Sequence, residues 1–327
     1  MKKIHKSRYI VQHLIKHENS ILALIFVVLI AFFNIVTGGK VATAFNIKTI
    51  MLTSAVRGVI SIGEAFVILS GNIDVSVGGL ALFILNFGAS LMTGTQAYQL
   101  VGHQVPVAAA IPLMLLAAVG IGIVNGSLVS RIGVSALVVT LAIWQITLAA
   151  AFQVSKGAPL RGFPPSLAFF GSGQVGGIYV PIIIFIVVSA VAYFVLNHTT
   201  FGHSVYAVGG NPTSAWISGI KVNKIVFTVF IISALLAGLG GLMLLSRVMI
   251  AGQGISGLEI DAIAAVSIGG ISLMGGRGNI IGVILGVMII GVIDNGQNIL
   301  LVPMGTQNII KSAIIIIAVA VDYLRRR

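Results

Sequence analysis

Val105-Pro-Val-Ala-Ala-Ala110-Ile-Pro-Leu-Met-Leu115-Leu-Ala-Ala-Val-Gly120-Ile-Gly-Ile-Val-Asn125-Gly-Ser-Leu-Val129 runs for 25 residues without one charged side chain. A helix needs about 20 apolar residues to cross the hydrocarbon core of a bilayer, so this stretch reads as a membrane span. Gly122 and Gly126, four apart, give it a small-residue face on which another helix can pack closely. Gly282 and Gly286 repeat that spacing. Comparable windows lie at 20–37, 50–70, 77–94, 135–154, 179–197, 225–245, 259–274, 280–297 and 307–324. The reading is an all-α integral membrane protein of about ten transmembrane helices, forming one polytopic membrane domain over residues 20–324. A basic segment, 1–19, precedes it and a basic tail, 325–327, follows it.

The rest of the composition agrees. Only 8% of the 327 residues are charged, against about 25% in a soluble domain, and the mean hydropathy is +1.11. A soluble enzyme, a disordered chain and a disulfide scaffold are excluded. With no cysteine there are no disulfides, iron–sulfur clusters or thiolate metal sites. The six histidines include no His-x-x-x-His pair on an apolar helix, so no metal centre is expected.

The net charge of +12 reads as orientation, not as nucleic-acid binding, because of where it sits. With the N-terminus in the cytoplasm, that side collects Lys2, Lys3, Lys6, Arg8, Lys16, Arg131, Lys221, Lys224, Arg277 and Arg325 to Arg327. The outer side holds Lys40, Lys48, Lys156, Arg161, Arg247 and Lys311, and Arg57 lies within a span. The excess of cations follows the positive-inside rule and puts both termini in the cytoplasm. The opening stretch also has features of a cleavable signal, ending at Ala42-Thr43-Ala44, but its apolar core is long and its basic segment extended. Ten spans divide five and five, which allows an inverted repeat. Residues 70–82 and 251–263, each a glycine-flanked break before a helix, would then be counterparts.

Two long excursions break the pattern, an outer loop at 155–178 and a cytoplasmic loop at 198–223. In the latter, Gly209 and Gly210 permit backbone angles closed to other residues. Asn211 followed by Pro212 is an N-cap with proline at the first helical position, and Gly219 closes the helix as a C′ residue. The product is a short capped helix with Ala215 on its small face and Trp216 and Ile217 as anchors, a handle for another protein.

The stretch from Ala207 to Ile220 resembles the cytoplasmic coupling segment of ribose-type ABC sugar permeases. Ile68-Leu-Ser-Gly-Asn-Ile-Asp74-Val-Ser-Val-Gly78, Glu259-Ile-Asp-Ala-Ile-Ala-Ala265, Gly269-Gly-Ile-Ser-Leu-Met-Gly-Gly-Arg-Gly278 and Asp294-Asn-Gly-Gln-Asn298 are similar in the same order. The resemblance runs from about residue 20 to the end. Members commonly carry acidic residues just after the coupling Asn and an Arg a few positions on; here Pro212, Thr213 and Trp216 stand instead. Arg57 and Glu64 depart from the pattern as well.

The resemblance implies an importer in the bacterial cytoplasmic (inner) membrane. An extracytoplasmic binding protein would deliver a pentose or hexose, and a second permease subunit, identical or not, would complete the path. A separate ATPase, using ATP and Mg, would grip Gly209, Gly210, Asn211, Pro212, Ala215 and Gly219. No catalytic residue, metal or cofactor is expected in this chain itself. Its nearest trace of a phosphate loop, Gly305 to Ser312, has Ile310 in place of the second glycine. The alternative is an ion-coupled secondary transporter of a small polar solute, with Glu64, Asp74 or Asp294 as its protonatable switch; such a carrier has no need of the capped helix.

Ionisable residues within spans point to function. Arg57, Glu64, Asn72, Asp74, Ser76 and Asn295 are candidates for a polar sugar path. The Arg57 and Glu64 side chains, two turns apart, should find partners on other helices; a structural ion pair is the competing reading. Gly71, Gly78, Gly254, Gly257, Glu259 and Asp261 are candidates for helix breaks and gating. Asp74 or Ser76 is placed to cap the helix after the first break. Gly252, Gly254 and Gly257 mimic a dinucleotide fingerprint but follow a span, not a strand. Glu259 and Asp261 suit the positive end of the helix they open.

Overall fold

A computed structural model describes residues 18–252 and 257–326. Helix α1 covers Glu18–Val36, α2 Ala44–Leu69, α3 Ser76–Met92 and α4 Val107–Ser127. A π turn, Leu128–Ile132, extends α4 to Gly133, whose φ of +84° ends it. Then come α5 (Ala136–Ser155), α6 (Val180–His198), α7 (Thr200–Gly210), α8 (Pro212–Ile217) and α9 (Val222–Val248). Last are α10 (Leu258–Ile268), α11 (Ile280–Ile299) and α12 (Met304–Arg326). Every apolar window of the sequence carries a helix. Seven of the described helices, α1, α2, α4, α5, α6, α9 and α11, are long and apolar enough to cross a membrane.

Helices α3 and α10 fall short for local reasons. The chain turns at Gly71, φ +84°, and starts α3 late, leaving it 17 residues. Helix α10, 11 residues, begins after Gly257 (φ +86°) and stops at Gly269, short of the expected 259–274. The excursion at 198–223 holds two helices where the sequence reading had one. Helix α7 was masked by its glycines, but Thr199 caps it, its hydroxyl accepting the Gly202 N–H at 3.1 Å. The outer excursion is not wholly irregular either: Gln174–Val175 (β1) pairs antiparallel with Ile178–Tyr179 (β2) in a small hairpin.

Helix α2 is the centre of the molecule: from Ala55 onward all of it except Arg57 is buried. It lies against α9 closely enough that a Cβ on Gly63 would meet the Ser233 Cα at 3.0 Å. Helices α4, α5 and α6 instead present Leu116, Val138 and Val191 outward. Apolar side chains on that perimeter suit lipid, which offers no water to polar groups.

Candidate functional site: two polar clusters and a glycine-packed face

The break between α2 and α3 is anchored from several directions. The Glu64 carboxyl accepts the Asp74 backbone N–H at 3.1 Å. Asp74 Oδ1 accepts from both the Ser76 N–H, at 3.0 Å, and the Ser76 hydroxyl, so Asp74 caps the start of α3. The other Asp74 oxygen accepts from Ser233 of α9 at 3.0 Å. Asn125 of α4 donates to Ser76 Oγ at 2.9 Å, and Thr140 of α5 accepts the Val75 N–H at 3.2 Å. Irregular backbone at membrane depth survives only when protein satisfies its polar groups; here four helices do so. Glu64, Asp74 and Ser76 are all buried, and Asn72 bonds only locally, to Ser70 Oγ at 3.1 Å.

Two turns back along α2, Arg57 opens a second cluster. Its Nε meets Asp261 Oδ2 of α10 at 3.1 Å and its Nη1 meets Asp294 Oδ2 of α11. Lys311 of α12 bridges the same carboxylates from the other side, 3.0 Å from Asp261 Oδ1 and 3.0 Å from Asp294 Oδ1. The four charges alternate and cancel. Nearby, Asn295 donates to Asn46 Oδ1 at 3.2 Å, tying α11 to α2. Arg57 and Glu64 therefore both find partners on other elements, as their separation required. Asp261 does more than complement a helix end.

At the C-terminal end of α2, helix α7 approaches so closely that a Cβ on Gly209 would overlap the Leu69 carbonyl oxygen. The loop before α11 packs into the same place, with the Gly276 N–H donating to that oxygen at 3.0 Å. Tyr206 donates to the Gly278 carbonyl at 3.0 Å, and its burial pushes the phenol pKa up, which keeps the proton on the donor. Helix α8 follows. Asn211 Oδ1 accepts the Ser214 N–H at 3.0 Å, Pro212 is the first helical residue, and Gly219, φ +85°, ends the segment. Ala215 is buried, while Trp216 and Ile217 are 70% and 74% exposed. A cleft of 490 Å³ opens beside α8, lined by Asn72, Ser130, Gly209, Gly210, Pro212 and Asn223 among others.

Several expectations need correction. Gly209 and Gly210 do not take left-handed angles; they finish α7, and Gly209 is required by close packing. Gly78 is not a break but the third residue of α3, where a Cβ would overlap the Glu259 carboxylate. The openings of α3 and α10 therefore touch. Lys311 is not an outer-loop cation but lies inside α12, in the charge cluster. Gly71 and Gly257 do sit at helix breaks, and Gly254 lies outside the described residues. Missed altogether were Lys311, Ser233, Asn125 and Thr140 as partners. A lysine seven residues inside an apolar helix was the one signal available for any of them.

The chain matches the family described as branched-chain amino acid transport system / permease component over residues 46–319. It is 38% identical over 283 residues to the ribose import permease protein RbsC of Haemophilus influenzae, covering 85% of this chain and 84% of the relative. Against the ribose import permease protein RbsC of Escherichia coli K12 the identity is 34%, with 96% of each chain covered. The fructose import permease protein FrcC of Rhizobium meliloti is 32% identical, over 97% of this chain and 88% of its own. No solved structure matches. Six of the seven long helices, the break before α3 and helices α7 and α8 lie within the matched region, and the chain belongs to this family of membrane permease components of transport systems.

Proposed function

We propose that this chain is the permease subunit of an ATP-driven importer that carries a monosaccharide across the bacterial cytoplasmic membrane. The sugar passes unmodified, so the chain is a transport subunit and not an enzyme. Full-length similarity to ribose and fructose import permeases supports the substrate class. The observation that carries the mechanism is the contact of Gly209 with the Leu69 carbonyl. A separate ATPase holding the exposed Trp216 and Ile217 would push α8. The glycine contact would pass that displacement to the end of α2, the helix that bears Arg57 and Glu64. ATP and Mg belong to that partner. An extracytoplasmic binding protein supplies the sugar on the opposite face, and a second permease subunit completes the path.

Helices α3, α10 and α12, the two short ones extended by their flanking loops, would bring the seven long helices to ten crossings, and the cation distribution supports a cytoplasmic place for both termini. The meeting of Gly78 with Glu259 supports an inverted five-plus-five repeat, because the two broken openings then face each other. Asn72, Asp74, Ser76 and Asn295 are assigned with Arg57 and Glu64 to the polar interior along the path.

The test is uptake of labelled pentoses and hexoses into proteoliposomes holding the permease with its ATPase and binding protein. Uptake is expected to require ATP and both partners; uptake driven by a pH gradient alone overturns the reading.

A further inference from the structure

We propose that Lys311 is a releasable latch that closes α12 over the outer mouth of the sugar path, with Arg57 the fixed centre that holds both carboxylates when the latch opens. The proposal rests on the permease reading above.

The geometry is unequal on the two sides of the cluster. Helices α2, α10 and α11 are locked together: a Cβ on Gly286 would overlap the Ala265 carbonyl, and one on Gly291 the Ser54 hydroxyl. Helix α12 has no comparable tie among the described residues. It turns Ile314 and Ile315 inward, while Met304, Ile309, Ile316 and Ile317 are each at least 60% exposed. Among the described residues, its polar links to the other helices are the two arms of Lys311 and one contact from Gln307 to Asn298 Oδ1 at 3.0 Å. The turn that leads into it contains Leu301, 87% exposed and at φ +54°. A non-glycine residue there is strained, and a hinge that relaxes it moves α12.

The chemistry of the two cations matches this division. Arg57 lies 13 residues from the start of its helix and 12 from the end, and its planar fork engages both carboxylates. Lys311 lies seven residues into α12, about 10 Å from its outer end. A flexible ammonium at that depth can withdraw toward the interface. When it leaves, Asp261 and Asp294 both keep their contact with Arg57 and share one net negative charge between them. Each carboxylate also frees its Oδ1 atom, an acceptor for a sugar hydroxyl. A neutral sugar carries no charge with which to break the cluster, so it profits only from a cluster built to part.

The native chain has no cysteine, so introduced thiols react without background. Asn298→Cys with Gln307→Cys, joined by oxidation or a short bis-methanethiosulfonate, ties α12 to α11 across the hinge; the joined form is read first by altered gel mobility. In proteoliposomes with the ATPase and sugar-loaded binding protein, the joined form is expected to lose at least tenfold in ATP-driven uptake and to regain it on reduction. Lys311→Met is expected to raise binding-protein-independent ATPase activity several-fold and lower the sugar carried per ATP, while Lys311→Arg stays near wild type. Full-rate uptake by the joined form, or wild-type coupling in Lys311→Met, overturns the latch. The cysteine pair decides the matter if Lys311→Met fails to fold. Wild-type vesicles without ATP-driven uptake would instead refute the permease reading.

Discussion

Two polar clusters share helix α2, and the distance between them is only two turns. Around Glu64 and Asp74 the side chains are short and buried, and their partners include backbone N–H groups. Around Arg57 the cations are long, their side chains 15–19% exposed, and the partners are other charges. A short donor held by a capped backbone has nowhere else to go, so the first cluster fixes the break before α3. Charged pairs taken out of water gain little net stability, because desolvation offsets their attraction. The second cluster is therefore poorly explained as a brace and better explained as a joint. One cluster holds the chain in place while the other lets it move.

The contrast breaks most severely at Asp74. Asp74→Ala strands the Ser76 N–H, the Ser76 hydroxyl and the Ser233 hydroxyl in a dry interior. Each stranded donor costs about 1–3 kcal/mol, so the variant is expected to unfold in detergent many degrees below wild type, or not to accumulate in the membrane. Asp74→Asn keeps the carbonyl acceptor and should lose far less. Thermal unfolding followed by fluorescence size-exclusion chromatography measures both. Equal losses in the two variants would show that charge, not hydrogen bonding, holds the break.

That difference also explains how much of the site was legible in the sequence. The break, its cap and α8 are local: Gly71, Asp74, Ser76, Asn211, Pro212 and Gly219 lie within a few residues of the groups they act on. Their residue types therefore state their roles. The charge cluster joins Arg57 to a residue 237 positions away, and nothing near Arg57 names Asp294 as its partner. Apolar runs located each helix for the same local reason. They gave no measure of how far α3 and α10 reach, because depth depends on packing against α2, α5 and α9. Gly209 shows the limit most sharply, since its need for glycine comes from Leu69, 140 positions earlier.

The joint is expected to break less severely and to be repairable. Arg57→Asn leaves Asp261 and Asp294 facing each other with Lys311 alone, and removing one partner from a buried pair costs about 3–5 kcal/mol. Arg57→Asn combined with Asp294→Asn removes one cation and one anion together, and the Lys311–Asp261 pair remains. The double variant should therefore recover most of the stability lost by Arg57→Asn. A double-mutant cycle on the unfolding midpoint reads the coupling. Additive losses would mean that Arg57 and Asp294 stabilise the protein independently, and the cluster would then be no unit.

The smallest effect on the fold, and the most informative for coupling, is expected at Trp216. The indole is 70% exposed at the end of a six-residue helix, so Trp216→Ala should move the unfolding midpoint by no more than an exposed substitution does, roughly 0.5 kcal/mol. Its contribution lies in contact with a partner, where a large aromatic anchor in a desolvated pocket contributes about 2 kcal/mol or more. The variant should therefore bind the ATPase about 30-fold more weakly, since each 1.4 kcal/mol is a factor of ten, and lose uptake while its own fold is unchanged. Titrating detergent-solubilised permease with the ATPase reads the affinity directly. The prediction separates α8 from both clusters on α2: there, loss of function should come with loss of stability or altered coupling, whereas at Trp216 it should come with weaker assembly alone. An unchanged affinity would move the ATPase contact elsewhere on the cytoplasmic face, to the Gly276 loop that shares the Leu69 carbonyl with α7.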